Sequence, residues 1–256
     1  MKYGQNYDEI CQLFKETGFR RRGMAFFRIV GDGVLEVIKY HYRTSPWQQE
    51  YICVGIFSMY GEMIPQWLTA SGCIPQYQVR WLDKTVKDRW ISSISGDWLC
   101  QKDIDETHTW QIDIPFLKSK VIPFLDGIDT QSKAVDAMMY LDVEAQEVYG
   151  RHIIWNDALK FAPFLYTGDY ENARKVIRSI LAQHDFAISS NKRRWTTEQF
   201  QQYMLRYEPE AQKLQFLLRL TEDRNPEEIN RYLKGNYDNN LILTKFMRRT
   251  GDGSLS

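Results

Sequence analysis

The stretch MAFFRIVGDGVLEVIKYHY (Met24–Tyr42) decides the fold. It holds two runs rich in β-branched and aromatic residues, joined by Gly31-Asp32-Gly33, a turn able to take positive φ, and so predicts a β-hairpin. Downstream, YICVGIF (Tyr51–Phe57) is apolar on both faces and reads as a central strand beside that hairpin. Tyr77, Val79 and Trp81 alternate with Gln78 and Arg80, and Trp90 to Ile94 follows a charged turn, which predicts two further strands. Trp110, Ile112 and Ile114 alternate again and are expected to close the sheet. Upstream, Tyr7, Ile10, Cys11 and Phe14 share one stripe of a helix that Gly18 can end in a left-handed cap.

Beyond the strands the pattern changes. Pro115 suits a first helical turn, and Leu117, Val121, Phe124 and Leu125 form a helical stripe that Pro123 must bend. From about residue 131 only helices are signalled. Gly168-Asp169 precedes the stripe Ala173, Val176, Ile177 and Ile180, and Thr196 with Gln199 makes a capping box before Phe200, Tyr203, Met204 and Tyr207. Pro209 and Pro226 are each placed in a first helical turn, the latter behind the cap Asn225. GDYENA resembles half of a tetratricopeptide repeat, but no second copy occurs, and an ordinary helical hairpin is expected. The expected fold is therefore α+β: an antiparallel sheet of about five strands with helices on one face (residues 1–130), followed by an all-α helical bundle (131–256).

The totals narrow the function. Thirty-three basic and thirty-three acidic residues cancel, so no overall field draws the protein to nucleic acid or to an anionic membrane. The opening MKYGQNYDEICQLFKETG lacks an unbroken apolar core and no later stretch is apolar for eighteen residues, so a cytoplasmic protein with no membrane association is expected. Cys11, Cys53, Cys73 and Cys100 lie far apart with no C-x-x-C pair, and read as reduced, mostly buried thiols.

FKETGFRRRGMAFFR (Phe14–Arg28), the strand Tyr51–Phe57, VRWLDKTVKDRW (Val79–Trp90) and VIPFLD (Val121–Asp126) occur in an order that resembles the bacterial family catalogued as domain of unknown function 4304. The resemblance covers about residues 1–130 and implies a fold for the front half, with no reaction attached.

No constellation for chemistry stands out. There is no G-x-S-x-G elbow, and His41, His108, His152 and His184 sit in unrelated contexts with no second ligand at metal spacing, so neither a cofactor nor a metal is expected. Asp103, Asp105 and Glu106 lack the spacing and glycine of a calcium loop and read as a solvated turn. The basic runs Arg20–Arg22 and Lys192–Arg194 could grip phosphate. Overall neutrality disfavours that, and the first run reads as the charged exit from a helix C-terminus. What remains is an aromatic surplus in or beside loops: Trp47, Tyr60, Trp67, Tyr77 and Trp98, with Arg80 and Asp88 nearby, form the expected partner-binding set. The expectation is a non-catalytic binding protein that recognises another protein, an immunity factor against a bacterial toxin being one form of it. The alternatives are an enzyme holding a small molecule between sheet and helices through Arg80, Asp88 and His41, and a nucleic-acid binder.

Overall fold

The structure, a computed structural model, describes residues 6–43, 49–62, 77–78, 101–102, 111–112, 114–149 and 155–244. Helix α1 (Tyr7–Glu16) buries Tyr7, Ile10, Leu13 and Phe14, as its stripe requires, while Cys11 is half-buried and free. Gly18 takes φ +85° past the helix end. There the Phe19 amide donates to the Phe14 carbonyl (2.8 Å) and the Gly18 amide to that of Lys15 (3.2 Å). The Phe14 and Phe19 rings meet at 5.6 Å, the apolar contact that accompanies this type of cap.

The hairpin forms as β2 (Ala25–Val30) and β3 (Val34–Arg43), antiparallel, with Val30 opposite Val34. Only glycine fits at Gly31: its φ is +49°, and a Cβ there would overlap the Asp129 carbonyl that accepts the Asp32 amide. Strand β4 (Gln49–Ser58) pairs with β3 along its whole length, as expected of a central strand. β1 (Arg20–Arg22) and β5 (Tyr77–Gln78) complete an antiparallel meander, β1-β2-β3-β4-β5, whose fifth strand is only two residues long. Two details differ from expectation. Arg20–Arg22 is an edge strand and not merely a helix exit; cations on an edge discourage pairing with other chains. Gln111–Ile112 (β7) does not close the sheet but pairs with Gln101–Lys102 (β6), and Ile114 already begins a helix.

That helical run, α2, consists of Ile114–Phe116, a π-helical turn Leu117–Val121 and Ile122–Asp126. The expected bend at Pro123 takes this form because a wider turn relieves the clash between proline and the carbonyl four residues earlier. Five helices follow: α3 (Gln131–Tyr149), α4 (Trp155–Tyr166), α5 (Tyr170–Asn191), α6 (Thr197–Asp223) and α7 (Pro226–Leu243). The capping box Thr196/Gln199 forms in full, Asp169 caps α5, and Asn225 caps α7 with Pro226 in its first turn. Pro209, in contrast, lies inside α6. The capped start upstream and buried Leu214, Leu217 and Leu220 downstream carry the helix through it, and its exposed position leaves the freed carbonyl to water.

Helix α1 covers one face of the sheet, with Phe14 on Phe26 (4.9 Å) and Tyr7 on Tyr40 (4.6 Å). Phe27, Leu35, Val37 and Phe57, on the other face, are buried as well, so the sheet is not open on one side. This follows from strands that are apolar in both registers. The core around the sheet runs past residue 130, drawing in Ala134, Ala137 and Met138 of α3, Leu159 of α4 and Leu241 of α7. A second core gathers Phe161 and Leu165 of α4, Ala173, Val176 and Ile177 of α5, Leu214, Leu217 and Leu220 of α6, and Ile229 and Leu233 of α7. Helices α4 and α7 thus serve both cores.

One buried charge pair fixes the first layer. Arg28 donates from Nε to Glu36 on the neighbouring strand (2.6 Å), from Nη2 to Asp126 at the end of α2 (2.5 Å), and from Nη1 to the Thr17 carbonyl after α1 (2.8 Å). Its guanidinium lies 4.4 Å from the Phe19 ring centroid. Burial works against the Arg28 cation, yet its hydrogen bonds to Glu36 and Asp126 overcome that and raise its pKa. For Glu36, fully buried and with Oε1 unpartnered, burial wins over Arg28 and pushes the carboxyl up to about 7.

Candidate interaction surface

Of the expected partner-binding residues, Trp47, Trp67, Arg80, Asp88 and Trp98 lie outside the described residues, as do Asp103, Asp105, Glu106, His108 and His152. Tyr77 and His41 have described backbone only: Tyr77 pairs with Val54 and His41 with Tyr51. Tyr60 is the member of the set with a described side chain. It stands where β4 leaves the sheet, half-buried, its ring stacked on Tyr166 of α4 (4.5 Å) and against Tyr237 of α7 (5.0 Å). Burial, then a hydrogen bond with Tyr166, pushes its phenol pKa up. The turn beside it is held by α7: Asn240 donates to the Met59 and Gly61 carbonyls (2.8 and 2.6 Å) and Asn236 to that of Tyr60 (3.0 Å). Glu62 accepts from the Tyr232 hydroxyl (2.9 Å) and pairs with Lys213 of α6. Tyr60 therefore belongs to a joint that fastens the sheet to three helices.

A surface with partly free aromatic faces appears elsewhere, on the helical hairpin α5–α6. Its distal part, residues 181–191 of α5 and 197–213 of α6, contains no buried residue, although both helices continue into the second core. The two helices meet along heptad-spaced stripes: Ile177, Leu181, His184 and Ile188 on α5, and Phe200, Met204, Tyr207 and Ala211 on α6. Beyond Ile177, every one of these is half-buried. Rings run down the seam, with Trp195 on Tyr203 at 4.8 Å, Tyr203 on Tyr207 at 6.0 Å and His184 on Tyr207 at 4.9 Å. At 100° per residue, Leu181, Ile188, Met204 and Ala211 lie within the seam; the positions on one side of it, Arg178, Asp185, Gln201 and Glu208, are exposed and polar, while Ile180, Ala187 and Tyr203 on the other are half-buried.

His184 places Nδ1 3.2 Å from the Tyr203 hydroxyl and Nε2 3.6 Å from a Glu210 oxygen, residue types that acid–base chemistry uses. Burial first, then Glu210, raises the Tyr203 phenol, and burial with Asp185 raises that of Tyr207, so neither is primed as a phenolate nucleophile. They remain neutral rings with a hydroxyl donor, the amphipathic groups that anchor protein contacts. The tip carries Lys192, Arg193 and Arg194, all exposed, and no acidic residue occurs between Phe186 and Thr197. Among the described residues, no group of three His, Cys, Asp or Glu side chains could hold a metal ion, and no helix is long and apolar enough to cross a membrane.

The sequence marks Phe200, Tyr203, Met204 and Tyr207 as a helical stripe without marking it as a contact surface. The available signal was its chemistry: facing stripes containing Tyr, His and Met where a closed core would use Leu, Ile and Val. In comparisons with family models, curated proteins and solved structures, nothing matches the chain.

Proposed function

We propose that this chain is a non-catalytic protein-binding module whose contact surface includes the α5–α6 arm. The observation that supports this is the half-exposed seam of Phe200, Tyr203, Met204 and Tyr207 on a hairpin that extends past its own core. Two helices can only half-cover the stripe between them, and a third layer supplied by a partner would complete the burial. Tyr and Trp suit this role because they bring large contact area at a small loss of rotamer freedom.

The test is site-specific photo-crosslinking in the source cell. A photoreactive residue at Met204 is expected to yield one discrete adduct, while the same residue at Asn230, exposed on α7, yields none. Equal labelling at both positions, or no adduct at either, would defeat the reading. The narrower form, an immunity factor, predicts that co-expression with a toxin encoded next to this chain restores growth, and that Tyr203→Ser with Tyr207→Ser removes the protection.

A further inference from the structure

We infer that Arg28, Glu36 and Asp126 form a proton-operated clasp: a proton on Glu36 fastens the end of α2 to the sheet, and loss of that proton releases Asp126.

The stoichiometry comes first. One guanidinium serves two carboxylates, Glu36 through Nε (2.6 Å) and Asp126 through Nη2 (2.5 Å), while its Nη1 is held by the Thr17 carbonyl (2.8 Å). With both acids ionised the three side chains carry one net negative charge; with Glu36 protonated they are neutral. The charged groups acting on Glu36 are Arg28 on β2 and Asp126 on α2. The chain after α1 contributes the Thr17 carbonyl to Arg28, and β4 sets Ile56 opposite Glu36.

Burial decides which carboxylate yields. Glu36 is wholly removed from solvent and its Oε1 has no partner, so once ionised it can turn only to Arg28. The Asp126 side chain is 54% exposed and can exchange the guanidinium for water at small cost. Ionising Glu36 therefore draws Arg28 towards it and frees Asp126, whereas protonating Glu36 leaves the guanidinium charge to Asp126. The coupling is reciprocal. Asp126 raises the proton affinity of Glu36, so a proton on Glu36 favours the bound position of Asp126 by the same factor. With the Glu36 carboxyl pushed up to about 7, the exchange falls near neutral pH. Its place in the fold gives it reach: Asp126 ends α2, and the corner that follows carries Asp129, whose carbonyl accepts the Asp32 amide of the β2–β3 turn, and leads into α3.

Amide hydrogen exchange on the full chain, corrected for the intrinsic effect of pH, reads that corner. There Gly127 donates to the Pro123 carbonyl (3.2 Å) and Ile128 to that of Leu125 (2.8 Å). Protection of these two amides is expected to fall by about tenfold between pH 6 and 8, the equivalent of one pKa unit of coupling. In Glu36→Gln it should stay flat. Asp126→Asn, at an exposed position that keeps the fold whether or not Glu36→Gln does, should leave the corner weakly protected at every pH and lower the Glu36 midpoint followed by carboxyl NMR. Protection at Gly127 and Ile128 that ignores pH, or that equals the protection of the β3 amides throughout and so reports only global unfolding, would overturn the inference. A Glu36 midpoint unmoved by Asp126→Asn would do the same.

Discussion

The layer formed by α1 and the sheet and the arm formed by α5 and α6 use aromatic residues to opposite ends. Phe14 sits between Phe19 and Phe26 at 5.6 and 4.9 Å and is wholly removed from solvent. Tyr203 and Tyr207 meet at 6.0 Å, a comparable contact, and both remain half-exposed. The pairwise geometry is alike; the number of layers differs. A ring between helix and sheet is covered from every side, whereas a ring between two helices is covered from two. Burial, and with it most of the stabilisation, follows from that count.

The comparison can be broken most decisively by truncation on each side of it. Phe14→Ala is expected to cost about 3–5 kcal/mol, read as a fall in the urea midpoint at constant slope. If it cost no more than truncating an arm residue, the distinction between the regions would be void. The buried pair supplies the next largest effect. Because the Glu36 carboxyl is raised from 4.5 to about 7 in the folded protein, the native state holds its proton more tightly than the unfolded chain does. Its contribution is therefore complete below pH 4.5 and is lost as pH rises through 7, amounting to about 3 kcal/mol at most. Glu36→Gln should flatten that slope between pH 4.5 and 8, measured by denaturant unfolding at each pH; an unchanged slope would mean that another group titrates.

Helix ends lie between the extremes. Asn225 accepts from the Glu227 and Glu228 amides at 3.0 and 3.4 Å, and Asn225→Ala is expected to cost about 1 kcal/mol, visible in the thermal midpoint. The smallest effect belongs to the arm. Tyr207→Ser should change stability by less than about 1 kcal/mol, since much of the ring is in water before as well as after unfolding. A loss comparable to that at Phe14 would show that the arm is a core element.

Much of the fold could be read along the chain. The β2–β3 hairpin, the central β4, the cap at Gly18 and the starts of α5, α6 and α7 follow from local rules, because turns, caps and periodicity are properties of a few neighbouring residues. The misreadings share a cause. Pro209 looks like a helix start when its neighbours alone are considered, and becomes tolerable inside α6 only because Leu214, Leu217 and Leu220 anchor the helix in a core assembled from four segments. Packing is equally non-local: Tyr60 stands in a loop by sequence, and what surrounds it are Tyr166 and Tyr237, more than 100 residues away.

The sequence by itself determined most of the described helices and strands, since that information is carried by side-chain period and by glycine, proline and capping residues at short range. Only the tertiary structure decided which apolar stripes end up covered. Phe14 and Phe200 both lie on well-formed helical stripes, but coverage depends on what arrives from distant segments: α1 finds a sheet, and the outer halves of α5 and α6 find only each other.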